Sequence, residues 1–187
     1  MKTKEIILAS ASPRRMELMK DMQLEFTCIP SCIEEHLDSS LPVEQGIEQL
    51  AFQKAEDVFK KYPDAIVIGS DTMVVLAKER LGKPKDVQDA KAMLRRLSGQ
   101  THQVITGVAI LYDDKQVLFH ECSDVTFYDL DDEMIDWYID TKEPFDKAGS
   151  YGIQGYGKLF VKEIKGDYFN IVGLPVAKLY RTLQTIQ

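Results

Sequence analysis

Ala65-Ile66-Val67-Ile68-Gly69, running into Ser70-Asp71-Thr72, is apolar without alternation until its first hydroxyl. A strand with one wet face alternates apolar and polar residues. A continuous apolar run suits a strand buried on both faces, with helices packed on either side of its sheet. The run therefore predicts an inner strand of an α/β fold, and residues 73–76 extend the strand character. Toward the N-terminus, residues 43–62 predict an amphipathic helix, with Val43, Ile47, Leu50, Ala51, Ala55, Val58, Phe59 and Tyr62 at the 3.6-residue period. Pro63-Asp64 is expected to stop it. Residues 6–9 read as a second buried strand. Ser12 then suits an N-cap and Pro13 the first helical position, with Leu18, Met19 and Met22 on the apolar face. Residues 26–29 read as a strand ending at Pro30.

Toward the C-terminus, Asp86 caps a helix that runs to Leu97 and closes at Gly99. Residues 104–112 and 117–127 predict a long hairpin around Asp113-Asp114. Asp131 starts a helix through Ile139, with Asp132 and Glu133 well placed in its first turn. A Gly-rich stretch, 142–158, has no clear period. Residues 159–164 and 168–172 read as a second hairpin around Lys165-Gly166-Asp167, and Pro175 opens a last helix with Val176, Leu179, Tyr180 and Leu183 on one face. Strand–helix–strand units mixed with hairpins predict α/β with a mixed sheet, as one domain over residues 1–187.

Bulk properties narrow the function. The 187 residues are 44% hydrophobic and 28% charged, which is ordinary for a globular protein. The net charge of -7 argues against a nucleic-acid polymer as partner, since that requires a basic footprint. It leaves room for a small anion held by a few focused cations. Three cysteines, Cys28, Cys32 and Cys122, are an odd and sparse set without zinc-site spacing, so all are expected to be reduced thiols. His36, His102 and His120 show no ligand spacing. The start, Met1 to Glu5, is short and charged, and the apolar run after it is only a strand long. Neither a signal peptide nor a membrane span is predicted, and a cytoplasmic protein is expected.

Five places could carry chemistry. In Ser10-Ala11-Ser12-Pro13-Arg14-Arg15 a strand enters a helix whose first turn holds two arginines. First-turn N–H groups lack helical partners and attract anions, and guanidinium groups offer bidentate donors to phosphate. The plainer reading is a solvated helix start whose arginines pair with nearby acids. Asp71, directly after the apolar run, is placed as a residue at a strand's C-terminal edge, where α/β proteins bind ligands. It could hold Mg²⁺ or take a proton from water, or simply turn the chain. Lys83, in Leu81-Gly82-Lys83-Pro84, could contact a phosphate where glycine lets the backbone come close, although exposed turn lysines are common. Gln154 lies among Gly152, Gly155 and Gly157, where its amide could read a base edge; the plainer reading is a flexible loop. Glu34-Glu35 could ligate a divalent ion or be a solvated pair. Trp137 and Tyr138 read as packing residues of a helix.

Five motifs in this order resemble the Maf (septum-formation) family of nucleoside triphosphate pyrophosphatases over essentially the whole chain. They are residues 7–15 (ILASASPRR), 68–72 (IGSDT), 81–84 (LGKP), 97–102 (LSGQTH) with Val104 and Thr106-Gly107, and 146–155 (DKAGSYGIQG). The resemblance implies an inosine-triphosphate-pyrophosphatase-like fold: an elongated mixed sheet with flanking helices and two lobes around a cleft. It implies cleavage between the α- and β-phosphates with a divalent cation, Mg²⁺ or Mn²⁺, and a homodimer. Asp71 matches the catalytic acid of the family, and Glu34 with Asp71 its metal and water positions. Ser10, Arg14, Arg15, Lys54 and Lys83 match phosphate-binding positions. Arg14, Thr72 and Gln154 match the positions that separate subfamilies, here in the combination of the branch acting on dTTP and UTP rather than on 7-methyl-GTP. The absence of a G-x-x-x-x-G-K-[ST] motif argues against a P-loop kinase or GTPase. The alternatives are a non-catalytic nucleotide-binding regulator of septum formation and a pyrophosphatase for modified nucleotides.

Overall fold

A computed structural model describes residues 4–186, so Met1, Lys2 and Thr3 of the charged start lie outside the described residues. In chain order the elements are β1 (Ile6–Leu8), α1 (Pro13–Asp21), β2 (Thr27–Cys28), α2 (Val43–Phe59), β3 (Ile66–Leu76) and β4 (Glu79–Leu81). They continue with α3 (Val87–Leu97), β5 (Thr101–Tyr112), β6 (Lys115–Phe127) and α4 (Asp132–Asp140). Three 3₁₀ turns follow at Glu143–Asp146, Ala148–Ser150 and Tyr156–Phe160, and then β7 (Val161–Lys165), α5 (Tyr168–Val172) and α6 (Val176–Ile186). The strands form a seven-stranded sheet in the order β2-β1-β3-β5-β6-β7, with β4 on β3. β1 pairs in parallel with both β2 and β3, whereas β4 on β3 and β7 on β6 are antiparallel. The mixed α/β sheet expected from the sequence is therefore present, flanked by helices.

Local signals placed most of the ends. Ser12 and Asp86 accept N–H bonds from Arg15 and Asp89, capping α1 and α3, and Asp131 caps α4 through Met134. Gly99 ends α3 with a left-handed φ of 65°. Three expectations need correction. α2 ends at Phe59 rather than running to residue 62, and Tyr62 is exposed. Asp71 is not at the C-terminal edge of its strand: β3 continues unbroken through Ser70-Asp71-Thr72 to Leu76. The predicted second hairpin does not form. β7 pairs back onto β6, and residues 168–172 are a helical turn. Gly166 turns the chain at φ 123°, and the Asp167 carboxylate accepts the Phe169 N–H at 2.8 Å, a cap that starts helix rather than strand. The stretch Phe169-Asn170-Ile171-Val172 is too short for periodicity to distinguish the two.

The chain divides into two compact units. The first takes the described residues through Asp71, Thr106–Glu121 and the described residues from Gly173. The second takes Thr72–Ile105 and Cys122–Val172. In the first unit α2 packs on the sheet through small residues. Ala51, Ala55 and Val58 of α2 meet Ile7, Ala9, Val67, Ala109 and Leu111. A Cβ on Gly69 would lie 2.2 Å from the Ala51 carbonyl oxygen, and one on Gly107 2.5 Å from that of Ile47. The two glycines let the helix backbone rest directly on β3 and β5. In the second unit the core holds His102, Phe127, Tyr151 and Phe160 in edge-on ring contacts with centroids 4.7–5.6 Å apart.

Candidate active site

Side chains alternate along a strand, so Val67, Gly69 and Asp71 share one face of β3. Val67 packs against α2 and Gly69 holds the helix close. The next residue on that face, Asp71, thus lies beside the helix, and Lys54 of α2 meets it. The Lys54 ammonium pairs with Asp71 Oδ1 and, at 2.9 Å, with Glu35 Oε1. Lys54 and Asp71 keep only 12% and 16% side-chain exposure, whereas Glu35 keeps 51%. The Lys54–Asp71 pair is therefore shielded from solvent and Glu35 sits at its wet edge.

A second cluster forms at the start of α1. Ser10 is buried, and its Oγ accepts the Ser12 N–H at 3.2 Å and an Arg15 guanidinium N–H at 3.5 Å. Arg15 Nε donates to the Gly173 carbonyl at 2.8 Å, which also accepts from Ser70 Oγ at 3.3 Å. Burial pulls the Arg15 guanidinium below its ordinary pKa. The Asp71 carboxylate is the largest opposing influence; the Arg14 charge adds to the lowering, and Glu35 opposes it. Arg15 thus shares its electrostatic surroundings with Asp71 and Glu35. Ser10, Arg14, Arg15, Lys54 and Asp71, from three separate stretches of sequence, belong to one unit, and Glu34 belongs to it as well. Glu34 is exposed, and the acidic neighbour that meets Lys54 is Glu35.

The other three candidates belong to the second unit. Thr72 follows Asp71 on β3. Lys83 is exposed just after β4, on a segment held where Gly82 O accepts the Gly149 N–H at 3.0 Å and where Pro84 is buried. A Cβ on Gly82 would meet no protein atom within 4 Å, so packing does not demand glycine there. Gln154 is exposed on a loop between buried Ile153 and the last 3₁₀ turn. The plain reading of Tyr138 as a packing residue holds, since its ring is buried against Phe160, whereas Trp137 is 43% exposed beside Tyr156.

Nothing in the sequence marks out Ser70 or Gly173, and Glu35 stands out there only as half of the Glu34-Glu35 pair. Ser70 and Gly173 act through tertiary hydrogen bonds, which leave no local signal. The close approach at Gly69 did have a signal, a glycine inside an otherwise apolar strand. A divalent ion fits the donor set in the way Mg²⁺ prefers, with one or two carboxylates and the remaining positions left to water and phosphate oxygens. Glu35 and Asp71 already meet one cation, the Lys54 ammonium. Among the described residues no cluster of three or more His, Cys, Asp or Glu side chains forms a protein-only cage. Nor is any described helix long and apolar enough to cross a membrane.

The family model described as Maf-like protein matches residues 5–186. A Bacillus velezensis protein named dTTP/UTP pyrophosphatase is 52% identical over 182 residues, covering 97% of this chain and 96% of that protein. Proteins of the same name from Geobacillus sp. and Halalkalibacterium halodurans are 50% and 48% identical, covering 98% and 97% of this chain and 98% and 95% of their own lengths. With its motifs in order and the match running nearly end to end, the chain belongs to the Maf family.

Proposed function

We propose that this protein hydrolyses dTTP and UTP to the nucleoside monophosphate and pyrophosphate. The observation that carries the reading is the meeting of Lys54, Asp71 and Glu35 beside Arg15. The full-length similarity to proteins named dTTP/UTP pyrophosphatase supports the substrate. A triphosphate brings several negative charges, and Ser10, Arg14, Arg15, Lys54 and Lys83 are the groups proposed to hold its oxygens. Arg15, fixed through Nε to Gly173 O, carries a guanidinium whose planar donor geometry suits phosphate oxygens.

In the proposed reaction a water oxygen bonds to the α-phosphorus and the bond to the α,β-bridging oxygen breaks. Pyrophosphate leaves with that electron pair. The Asp71 carboxylate takes the water proton. Bound triphosphate would draw the Lys54 ammonium from the carboxylates toward phosphate oxygens and leave Asp71 to receive the proton. Asp71, with Glu35 or the adjacent Glu34, would hold Mg²⁺ or Mn²⁺. Such an ion supplies Lewis-acid stabilisation of charge on the phosphoryl oxygens. Arg14, Thr72 and Gln154 are the proposed selectivity residues, with the Gln154 amide reading the base edge.

A cytoplasmic setting belongs to the same proposal, supported by three free thiols. So does a homodimer, which sedimentation at two protein concentrations tests. The reaction is tested on a panel of nucleoside triphosphates, resolving pyrophosphate from orthophosphate. Pyrophosphate and monophosphate from dTTP and UTP are expected. Orthophosphate as the product would move cleavage to the terminal bond, and no turnover on any triphosphate would overturn the activity.

A further inference from the structure

Gln154 can read a base only if the loop that carries it has one shape, because an amide pointed the wrong way exchanges donor for acceptor. The chain after Gln154 is anchored directly to one carboxylate, and the chain before it to a phenol which that carboxylate holds. Glu143 Oε2 accepts the Tyr156 N–H at 2.8 Å, and Oε1 accepts the Gly157 N–H at 3.2 Å and the Tyr138 hydroxyl at 2.8 Å. The Tyr138 oxygen in turn accepts the Gly152 N–H at 3.1 Å. An ionised carboxylate only accepts, and its bonds to N–H and O–H donors are charge-assisted. Backbone positions 152, 156 and 157 therefore share a single carboxylate–phenol anchor.

The loop's glycines are explained by the same anchor. A Cβ on Gly155 would lie 2.1–2.4 Å from the Glu143 carboxylate atoms. One on Gly157 would lie 2.7 Å from Gly152 O and 3.0 Å from the Tyr138 oxygen. The glycines let the backbone close around Glu143, while Gln154 between them stays exposed. Glu143 is itself placed by its own backbone: its N–H donates to Thr141 Oγ1 at 3.2 Å and its carbonyl accepts the Lys147 ammonium at 2.8 Å.

We infer that Glu143 is a positioning residue for base selectivity: it fixes the shape of the Gln154 loop and acts on the nucleotide through Gln154 alone. This rests on the proposed reading of Gln154 as the base-contacting group. The test uses the full chain and the ratio of kcat/KM for dTTP to that for dGTP. The variants are Glu143→Ala, Glu143→Gln, Gln154→Ala and the double variant Glu143→Ala with Gln154→Ala. Glu143→Ala is expected to lower the ratio about tenfold, mostly through KM for dTTP. Glu143→Gln, which keeps one acceptor oxygen, recovers part of the loss. The double variant is no worse than Gln154→Ala, the non-additivity expected of residues acting through one another. Amide hydrogen exchange at Tyr156 and Gly157 speeds up in Glu143→Ala and not in Gln154→Ala. If Glu143→Ala does not fold, Glu143→Gln and Tyr138→Phe carry the same comparison.

A ratio kept within about twofold in the Glu143 variants, while Gln154→Ala lowers it, overturns the proposal and leaves the base reading standing. Additive losses in the double variant, or unchanged exchange at Tyr156 and Gly157, overturn it too. An unchanged ratio in Gln154→Ala removes the base reading itself, and the proposal falls with it.

Discussion

Asp71 stands in the middle of β3 on the face that α2 covers, paired with Lys54. Its replacement by Asn keeps the shape and removes the charge. Asp71→Asn is expected to lower kcat by roughly 10²–10⁴-fold, the usual contribution of a general base, with a native melting curve. Near-normal turnover would take Asp71 out of the proposed mechanism. His102 poses a different problem. Its ring is 1% exposed, its Nε2 is 2.8 Å from the Tyr151 hydroxyl, and its Nδ1 has no hydrogen-bond partner among the described residues. Burial lowers its pKa from 6.5 to about 4. The folded state therefore binds its proton less readily than the unfolded chain. The stability that the neutral ring contributes is complete above about pH 6.5, and it is lost as pH falls from there toward about 4. The limit is about 3 kcal/mol. Urea unfolding at pH 7 and pH 5 is expected to show lower stability at pH 5, and His102→Phe to have a flatter pH slope even though its absolute stability changes. An equal slope in both proteins would assign the acid sensitivity to other groups. The burial of the His102 ring was not legible in the sequence, because it is set by Phe127 and Tyr151, distant along the chain.

Among the elements, the helix α2 on its glycine seat decides where Lys54 points. The Gly69 Cβ site is already filled by the Ala51 carbonyl and the Ala55 backbone, so a methyl group there must push α2 outward. Gly69→Ala is expected to cost about 1–3 kcal/mol, as overpacking does, and to lower kcat because Lys54 moves with its helix. Gly82→Ala is the contrast. With open space around it and no left-handed φ, it should be neutral or add about 0.4–1 kcal/mol. Denaturant melts of both variants measure the difference, and equal costs would refute the packing argument. Capped elements were read well. Asp86, Asp131 and Ser12 carry their signal in the first turn, where side chain and backbone lie a few residues apart. The false hairpin at 159–172 shows the opposite case. β7 pairs with β6 instead, and the segment Tyr168–Val172 after it is taken into helix by the Asp167 cap.

On the scale of the whole molecule, the three free cysteines and the carboxylate pair set two bulk expectations. The melting temperature should not respond to a reductant, and a drop under dithiothreitol would reveal a disulfide. Hydrolysis should stop in EDTA and return with Mg²⁺ or Mn²⁺, whereas full turnover in EDTA would remove the ion from the proposal. The sequence by itself determined the mixed α/β class, most helix and strand positions, and the motifs by which the chain belongs to its family. Periodicity, caps and turn residues act over a few residues, so a linear reading reaches them. Only the tertiary structure decided that Asp71 lies within a strand rather than after it. It also decided that Glu35 rather than Glu34 meets Lys54, that Gly173 O holds Arg15, and that Glu143 anchors the chain after Gln154 directly and the chain before it through Tyr138. Each of these depends on which segments pack together, and the glycine-wide seat of α2 and the closed loop around Glu143 exist only once the chain has folded.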